Sequence, residues 1–401
     1  MFSATGKGDR MAEELAYVLI TPYSLLKSRT GGILGRLLSR AQLEFAGARM
    51  YAPSDAFVDA YVEAIRDGGA DAEQKEPLCQ YVEDNFRPAR RAGVSNRVMM
   101  LLFRGPNATQ ALNKVVGPVT TEPRGDTIRG TFGDFVTDAD GRVRYFEPAV
   151  LAAPDVASGR RRLGVLADFA ESDGGIVEHA IDREAGPDAQ TTLVNLKPDL
   201  FAKHSSRPGN IVDMFSRTGL YIVGARMVRM SVAQGIEFYG PLRSLFVERL
   251  KFLVEREIRA RIEGAFQFSL NAGDYAAMAD LLKDRNAESE FNAIVHYMTG
   301  RDPAAVKTDA ERAAPGTSRC LALLYRGPDA VRKVRAVLGP TDPQKAEGGT
   351  VRSDYGRDLM RNGAHASDSL ESAQRERKII GLAGGEPSEE VRTIRAYLAK
   401  A

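Results

Sequence analysis

AYVLITPYSLLKSRTGGILGRLLSRAQLEFAGARMYAPS (residues 16–54) and TLVNLKPDLFAKHSSRPGNIVDMFSRTGLYIVGARMVRMS (residues 192–231) are two versions of one pattern. Each runs from an apolar strand through an X-Pro turn into an amphipathic helix, then into a strand containing Gly-Ala-Arg-Met. Two further pairs follow in the same order: LLFRGPNATQALNKVVGP (101–118) with LLYRGPDAVRKVRAVLGP (323–340), and DTIRGTFGDF (126–135) with GTVRSDYGRD (349–358). Three matched blocks in one order read as an internal duplication. The expected domains are residues 1–185 and 186–401, joined near AIDREAGPDAQ. Within each copy, Ile/Val/Leu-rich strands bounded by Gly and Pro alternate with helices. That order predicts the α/β (α+β) class, as two ferredoxin-like α/β sandwiches with antiparallel sheets and helices on one face.

The copies differ in length. Thr21 pairs with Lys197 and Arg129 with Arg352, so the second copy carries 47 more residues between those points. The excess is expected around 247–290 and 299–318, and FVERLKFLVEREIRARIEG and DYAAMADLLKD there are helical by composition. A packed helical extension is the first reading. A lid, or a contact surface for the other copy, is the second.

Composition narrows the function. A chain of 401 residues, 43% hydrophobic and 27% charged, is ordinary for a soluble globular protein. Its net charge of +2 gives no ground for a dedicated nucleic-acid surface. No apolar run has the length of a membrane span, and the opening MFSATGKGDRMAEE lacks the apolar core of a signal peptide. Cys79 and Cys320 lie far apart in apolar contexts and read as buried thiols, so a cytoplasmic location is expected. No Cys/His cluster has metal-ligand spacing.

Of four histidines, His365 has the most suggestive surroundings, RNGAHASDSLESAQRE (361–376). A short polar loop leads into a helix start, where Asp368 and Glu371 have the spacing of a capping box. An imidazole there would lie beside free backbone N–H groups and the positive end of a helix dipole, a setting suited to phosphate. Imidazole is also a good nucleophile near neutral pH. His204 sits in a polar loop, His296 on an amphipathic helix and His179 near the junction; none has comparable neighbours.

Asn362, His365, Ala366, Ser367 and Asp368 together resemble the active-site signature of nucleoside diphosphate kinases. The resemblance implies that His365 takes the γ-phosphoryl group of a nucleoside triphosphate and returns it to a diphosphate, by ping-pong exchange with Mg²⁺ bridging the phosphates. The family's other parts have counterparts in the second copy. Lys197 and Asp199 match its Lys-Pro-Asp motif, and Tyr239 matches a tyrosine near the histidine. Arg335 and Arg352 match the phosphate-clamping arginines, Thr341 a hydroxyl donor, and Asn362 the sugar-binding amide. Ser367 and Glu376 match the residues that steady the imidazole. Arg335, Arg352, His365 and Glu376 follow one another at intervals of 17, 13 and 11 residues, which fit the family layout. The implied partners are nucleoside tri- and diphosphates, with the two copies packed on each other and the oligomeric state left open.

Two departures stand out. Leu200 replaces the family's usual Gly after Lys-Pro-Asp, and Glu290 occupies the place of a base-stacking Phe, with Phe291 and Phe246 as substitutes nearby. In the first copy Thr21, Tyr23, Asn113 and Val119 stand where Lys197, Asp199, Arg335 and Thr341 stand in the second, and no histidine follows Arg129 before His179. That copy is expected to be structural. A nucleotide-binding scaffold and a histidine phosphocarrier are the alternative functions, separated from a kinase by whether a second diphosphate is phosphorylated.

Overall fold

The computed structural model describes residues 13–69, 72–88, 96–119, 125–140, 143–181, 185–384 and 388–400. They form two compact units, Met1–Met227 with Leu321–Ala401, and Val228–Cys320.

The larger unit holds two sheets of the same topology. In the first half the strands are β1 (Glu13–Ile20), β2 (Glu44–Tyr51), β3 (Val98–Pro106), a separate hairpin of β4 (Asp134–Thr137) and β5 (Val143–Glu147), then β6 (Val150–Ala152) and β7 (Gly174–Gly175). The second half supplies β8 (Ala189–Leu196), β9 (Tyr221–Val228), β10 (Cys320–Pro328) and β11 (Ala364–Ala366). The first sheet runs β6-β1-β3-β2-β7 and the second β11-β8-β10-β9. Leaving aside the short β7, each places its own strands in the order fourth, first, third, second. The β1–β3, β1–β6, β2–β3, β8–β10 and β8–β11 pairs are all antiparallel. This is the ferredoxin-like α/β sandwich, present twice. The matched sequence blocks fall on matching elements, since Leu19 pairs with Met100 and Asn195 with Ala322.

One apolar core passes through both halves. The helix Thr30–Arg40 presents Ile33, Leu34 and Leu37 at helical spacing, and the helix Arg207–Ser216 presents Ile211, Val212 and Phe215. The two helices cross where neither has a side chain. A Cβ on Gly209 would lie 2.3 Å from the Gly31 carbonyl oxygen and 2.3 Å from the Gly35 nitrogen. Glycine is therefore required by close approach of backbones.

A second core lies on the other face of the first sheet, around Tyr17, Tyr51, Phe57, Tyr61 and Val82. Val391 and Ile394, from the final helix Glu389–Leu398, complete it. Glu390 on that helix meets Arg49 of β2 at 3.1 Å. The end of the chain thus returns to the first half. Cys79 and Cys320 are both buried and form no disulfide, and burial raises the pKa of Cys79.

The smaller unit is helical. Val232–Tyr239 starts from a capping box made by Ser231 and Gln234, and Ala272–Thr299 from one made by Asn271 and Asp274. Leu242–Ile262 and Ala272–Thr299 form an antiparallel pair: Arg243 bridges to Glu288, Lys251 to Asp280 at 2.8 Å, and Arg259 stacks over Tyr275. Tyr275, Ala279, Ala287, Phe291 and Val295 form its buried side. None of the described helices is long and apolar enough to cross a membrane.

Candidate active site

His365 is the middle residue of β11, with its side chain 23% exposed. Its ring is held by the helix that follows: Nε2 lies 2.8 Å from Glu376 Oε2. The same oxygen accepts a 2.7 Å hydrogen bond from Ser367 Oγ, and Arg375 sits 3.4 Å from Oε1. Ser367 and Glu376 are buried. A carboxylate accepting at Nε2 selects the tautomer with its proton there, which leaves the lone pair on Nδ1. The helix Leu370–Ile379 is capped by Ser369, whose Oγ accepts from the Ser372 N–H. The N-cap is therefore Ser369 and not Asp368, and the capping box with Glu371 expected from the sequence does not form. Asp368 instead takes a side-chain hydrogen bond from Ser372, which with nearby Arg335 and His365 lowers its pKa despite partial burial.

Three other predicted residues gather at the β8–β11 edge. Lys197 follows β8 and accepts no water-facing role: it is largely buried, and Nζ donates to Asn362 Oδ1 at 2.7 Å and to the Met360 carbonyl at 2.8 Å. Asn362 in turn donates Nδ2 to the carbonyls of Thr341 and Leu359, both at 3.0 Å. This ties the loop before β11 to the turn after the helix Ala330–Leu338. Thr341 is exposed, and its backbone carbonyl, not its hydroxyl, makes this contact.

Arg352 is buried and Arg335 exposed. Burial, then the neighbouring positive charge of Arg335, pushes the Arg352 pKa down to about 10. Arg352 Nη1 also donates to the Gly339 carbonyl at 2.9 Å. Its first-half counterpart Arg129 makes the same bond to Gly117, also at 2.9 Å. In both halves the glycine closes a helix with positive φ, 84° at Gly117 and 82° at Gly339. The arginine therefore has a fixed duty in the fold, and this explains why it survives in a half that lacks the rest.

The first half shows how thoroughly its own site differs. Leu151 is the β6 residue paired with Leu19, as His365 is the β11 residue paired with Asn195. Counting on from the aligned helix caps, Asp155 and Ser369, places Arg162 where Glu376 stands. Nucleophile-type side chain and carboxylate have become leucine and a buried arginine. Where Lys197 would be, Thr21 Oγ1 donates to Glu147 Oε1 at 3.0 Å, and Tyr81 donates to Glu147 Oε2 at 2.6 Å. Sequence reading saw the absent histidine but not Leu151, Arg162 or Glu147, because pairing register was needed to find them.

Tyr239 lies in the smaller unit, buried, with its ring 4.9 Å from Phe238. Phe291 is buried in that unit beneath the Arg243 guanidinium, so its ring offers no open face for a base. His179, His204 and His296 are all exposed. Among the described residues no group of three or more His, Cys, Asp or Glu side chains is placed to hold a metal.

These residues lie in a stretch that known proteins share. The family model for nucleoside diphosphate kinase matches residues 279–381, the stretch that contains Arg335, Arg352, Asn362, His365 and Glu376. A nucleoside diphosphate kinase from Nitrosospira multiformis is 30% identical over 184 residues, 46% of this chain and 86% of that protein. The chain belongs to the nucleoside diphosphate kinase family. A second family member, from Halorhodospira halophila, is 28% identical over 187 residues, 47% of this chain and 89% of that protein. A crystal structure of an NDP kinase from Pyrobaculum aerophilum aligns with 48% of this chain and 94% of that one, at 29% identity and a TM-score of 0.31. The two curated relatives thus each correspond to about half of the present chain.

Proposed function

We propose that this chain is a nucleoside diphosphate kinase with one working site, at His365, in the second of two copies of the same fold (1–185 and 186–401). One observation supports this above the rest: Glu376 holds His365 at Nε2, at 2.8 Å, while Ser367 fixes the carboxylate. That arrangement presents Nδ1 as the nucleophilic nitrogen and stabilises the positive charge that the ring acquires on attack.

The reaction is in-line phosphoryl transfer. Nδ1 attacks the γ-phosphorus; the N–P bond forms as the bond from phosphorus to the β,γ-bridging oxygen breaks, and the diphosphate leaves with that electron pair. A terminal phosphate oxygen of a second nucleoside diphosphate then attacks the phosphohistidine and restores the imidazole. Arg335 and Arg352 offset the charge on the phosphates. Lys197 and Asn362, already joined to each other, hold the loop before β11 against the turn that carries Thr341, where phosphate and sugar would be received. Apart from Glu376, committed to His365 and Ser367, and Asp368, committed to Ser372, the side chains named here are cations, hydroxyls and amides, and among the described residues no group of three or more His, Cys, Asp or Glu side chains is placed to hold a metal. They do not fit a protein-held Mg²⁺. Magnesium would instead arrive with the phosphates of the incoming nucleotide. The first copy, with Leu151 and Arg162 at the key positions, serves as the structural partner of the catalytic one.

Intact mass spectrometry tests the reading. Incubation with Mg-ATP at neutral pH is expected to add one phosphate, which disappears on addition of deoxycytidine diphosphate and never forms on His365→Ala. No phosphate on the wild type would leave a nucleotide-binding scaffold. A phosphate that forms but is not passed to the diphosphate would indicate a phosphocarrier.

A further inference from the structure

Across the sheet from His365 stands Asn195, its partner in the β11–β8 ladder. Directly paired residues on antiparallel strands project to the same face, with Cβ atoms about 5 Å apart. Asn195 is fully buried, and among the described residues neither its Nδ2 nor its Oδ1 has a hydrogen-bond partner. A buried donor or acceptor left in that state is destabilising. Packing does not require it. At the same ladder position the first half has Leu19 opposite Leu151, both buried in its second core. The sheet accepts leucine there. The half with the histidine has the polar pair, and the half without it has the apolar pair.

The geometry points to Asn195 as a hydrogen-bond donor to the phosphoryl group while that group is carried on His365. This rests on the reading of His365 as the phosphate carrier. Glu376 engages Nε2, so the phosphoryl group is bonded to Nδ1, and its oxygens are new acceptors in a place where the Asn195 amide has no partner of its own. The amide transfers no proton; it donates one hydrogen bond, charge-assisted by the phosphoryl oxygen. A group unsatisfied in the resting protein and satisfied in the phosphorylated one moves the equilibrium toward phosphohistidine.

The test uses the full chain with Asn195→Leu, which copies the first half, and with Asn195→Asp, which keeps the shape and adds a negative charge. Each is equilibrated with Mg-ATP and ADP at a series of fixed ratios, and the phosphorylated fraction is read by intact mass. Melting of the unphosphorylated protein is measured alongside. In Asn195→Leu the ratio of phosphorylated to free enzyme is expected to fall about tenfold at every nucleotide ratio, the worth of one charge-assisted hydrogen bond. Its melting temperature is expected to equal or exceed that of the wild type. Asn195→Asp is expected to fall further, by repulsion of the phosphoryl group. A purely structural asparagine gives the opposite result, a lower melting temperature with an unchanged phosphorylated fraction, and would overturn the proposal. If Asn195→Leu does not fold, Asn195→Asp loading to the wild-type level overturns it equally. Absence of phosphate on the wild type removes the His365 reading and this inference with it, whereas phosphate on the wild type and equally on the variants removes only this inference.

Discussion

Arg352 is asked to do two things at once. Its guanidinium closes a helix end through Gly339 and, on the proposed reading, also faces the phosphates. Burial beside Arg335 lowers its pKa to about 10, so it is charged at neutral pH and loses that charge earlier than an ordinary arginine. For a base, the charged form is present below the folded pKa. Nucleotide affinity is therefore expected to hold up to about pH 9 and to weaken as pH rises through about 10. Initial-rate measurements across that range would show KM rising before kcat falls. Glu376 has a different duty, setting the tautomer of His365. Glu376→Gln keeps the shape but removes the charge that the imidazole needs on attack, and we expect phosphorylation to slow by about a hundredfold or more. A stopped-time mass measurement that found wild-type rates would remove Glu376 from the mechanism. Restoring the nucleophile to the first half is expected to fail. Leu151→His in a His365→Ala background should carry no phosphate, because Arg162 occupies the place of the carboxylate.

Helices meet here by the absence of side chains. The Thr30–Arg40 and Arg207–Ser216 helices approach so closely that any Cβ on Gly209 would overlap the backbone of Gly31 and Gly35. Backbone cannot swing aside as a flexible side chain does. Gly209→Ala is expected to destabilise by about 3 kcal/mol or more, the upper range for overpacking, read from urea midpoints. The strand pattern, the X-Pro turns and the helical periodicity that define these elements were all legible in the sequence, and they returned the right topology twice. The cap of the Leu370–Ile379 helix was not. Asp368 and Ser369 are both good capping residues, and which one adopts the extended backbone depends on how β11 is seated against β8.

In the larger unit, the two halves are interlocked as well as repeated. The first half's second core is completed by Val391 and Ile394 from the last helix, and the buried pair of Arg49 with Glu390 fixes that helix to β2. Removing one partner leaves the other charge nearly out of reach of water. Glu390→Ala is expected to cost about 3 kcal/mol or more, measured by equilibrium unfolding. A compensating Arg49→Met in the same chain should recover much of that loss. The final helix was legible as a helix, but its destination was not, because Arg49 and Glu390 are 341 positions apart and no local pattern connects them.

Residue identities and their order were enough to give the α/β class with antiparallel sheets and to pair His365 with Glu376, because periodicity, turn chemistry and motif spacing are local properties. The partner of Lys197, the leucine and arginine standing in for His365 and Glu376, and the unsatisfied amide of Asn195 emerge only when β1 is laid beside β6 and β8 beside β11. Register and burial are set by long-range packing, and whether a polar atom finds a partner depends on which distant segment that packing brings to it.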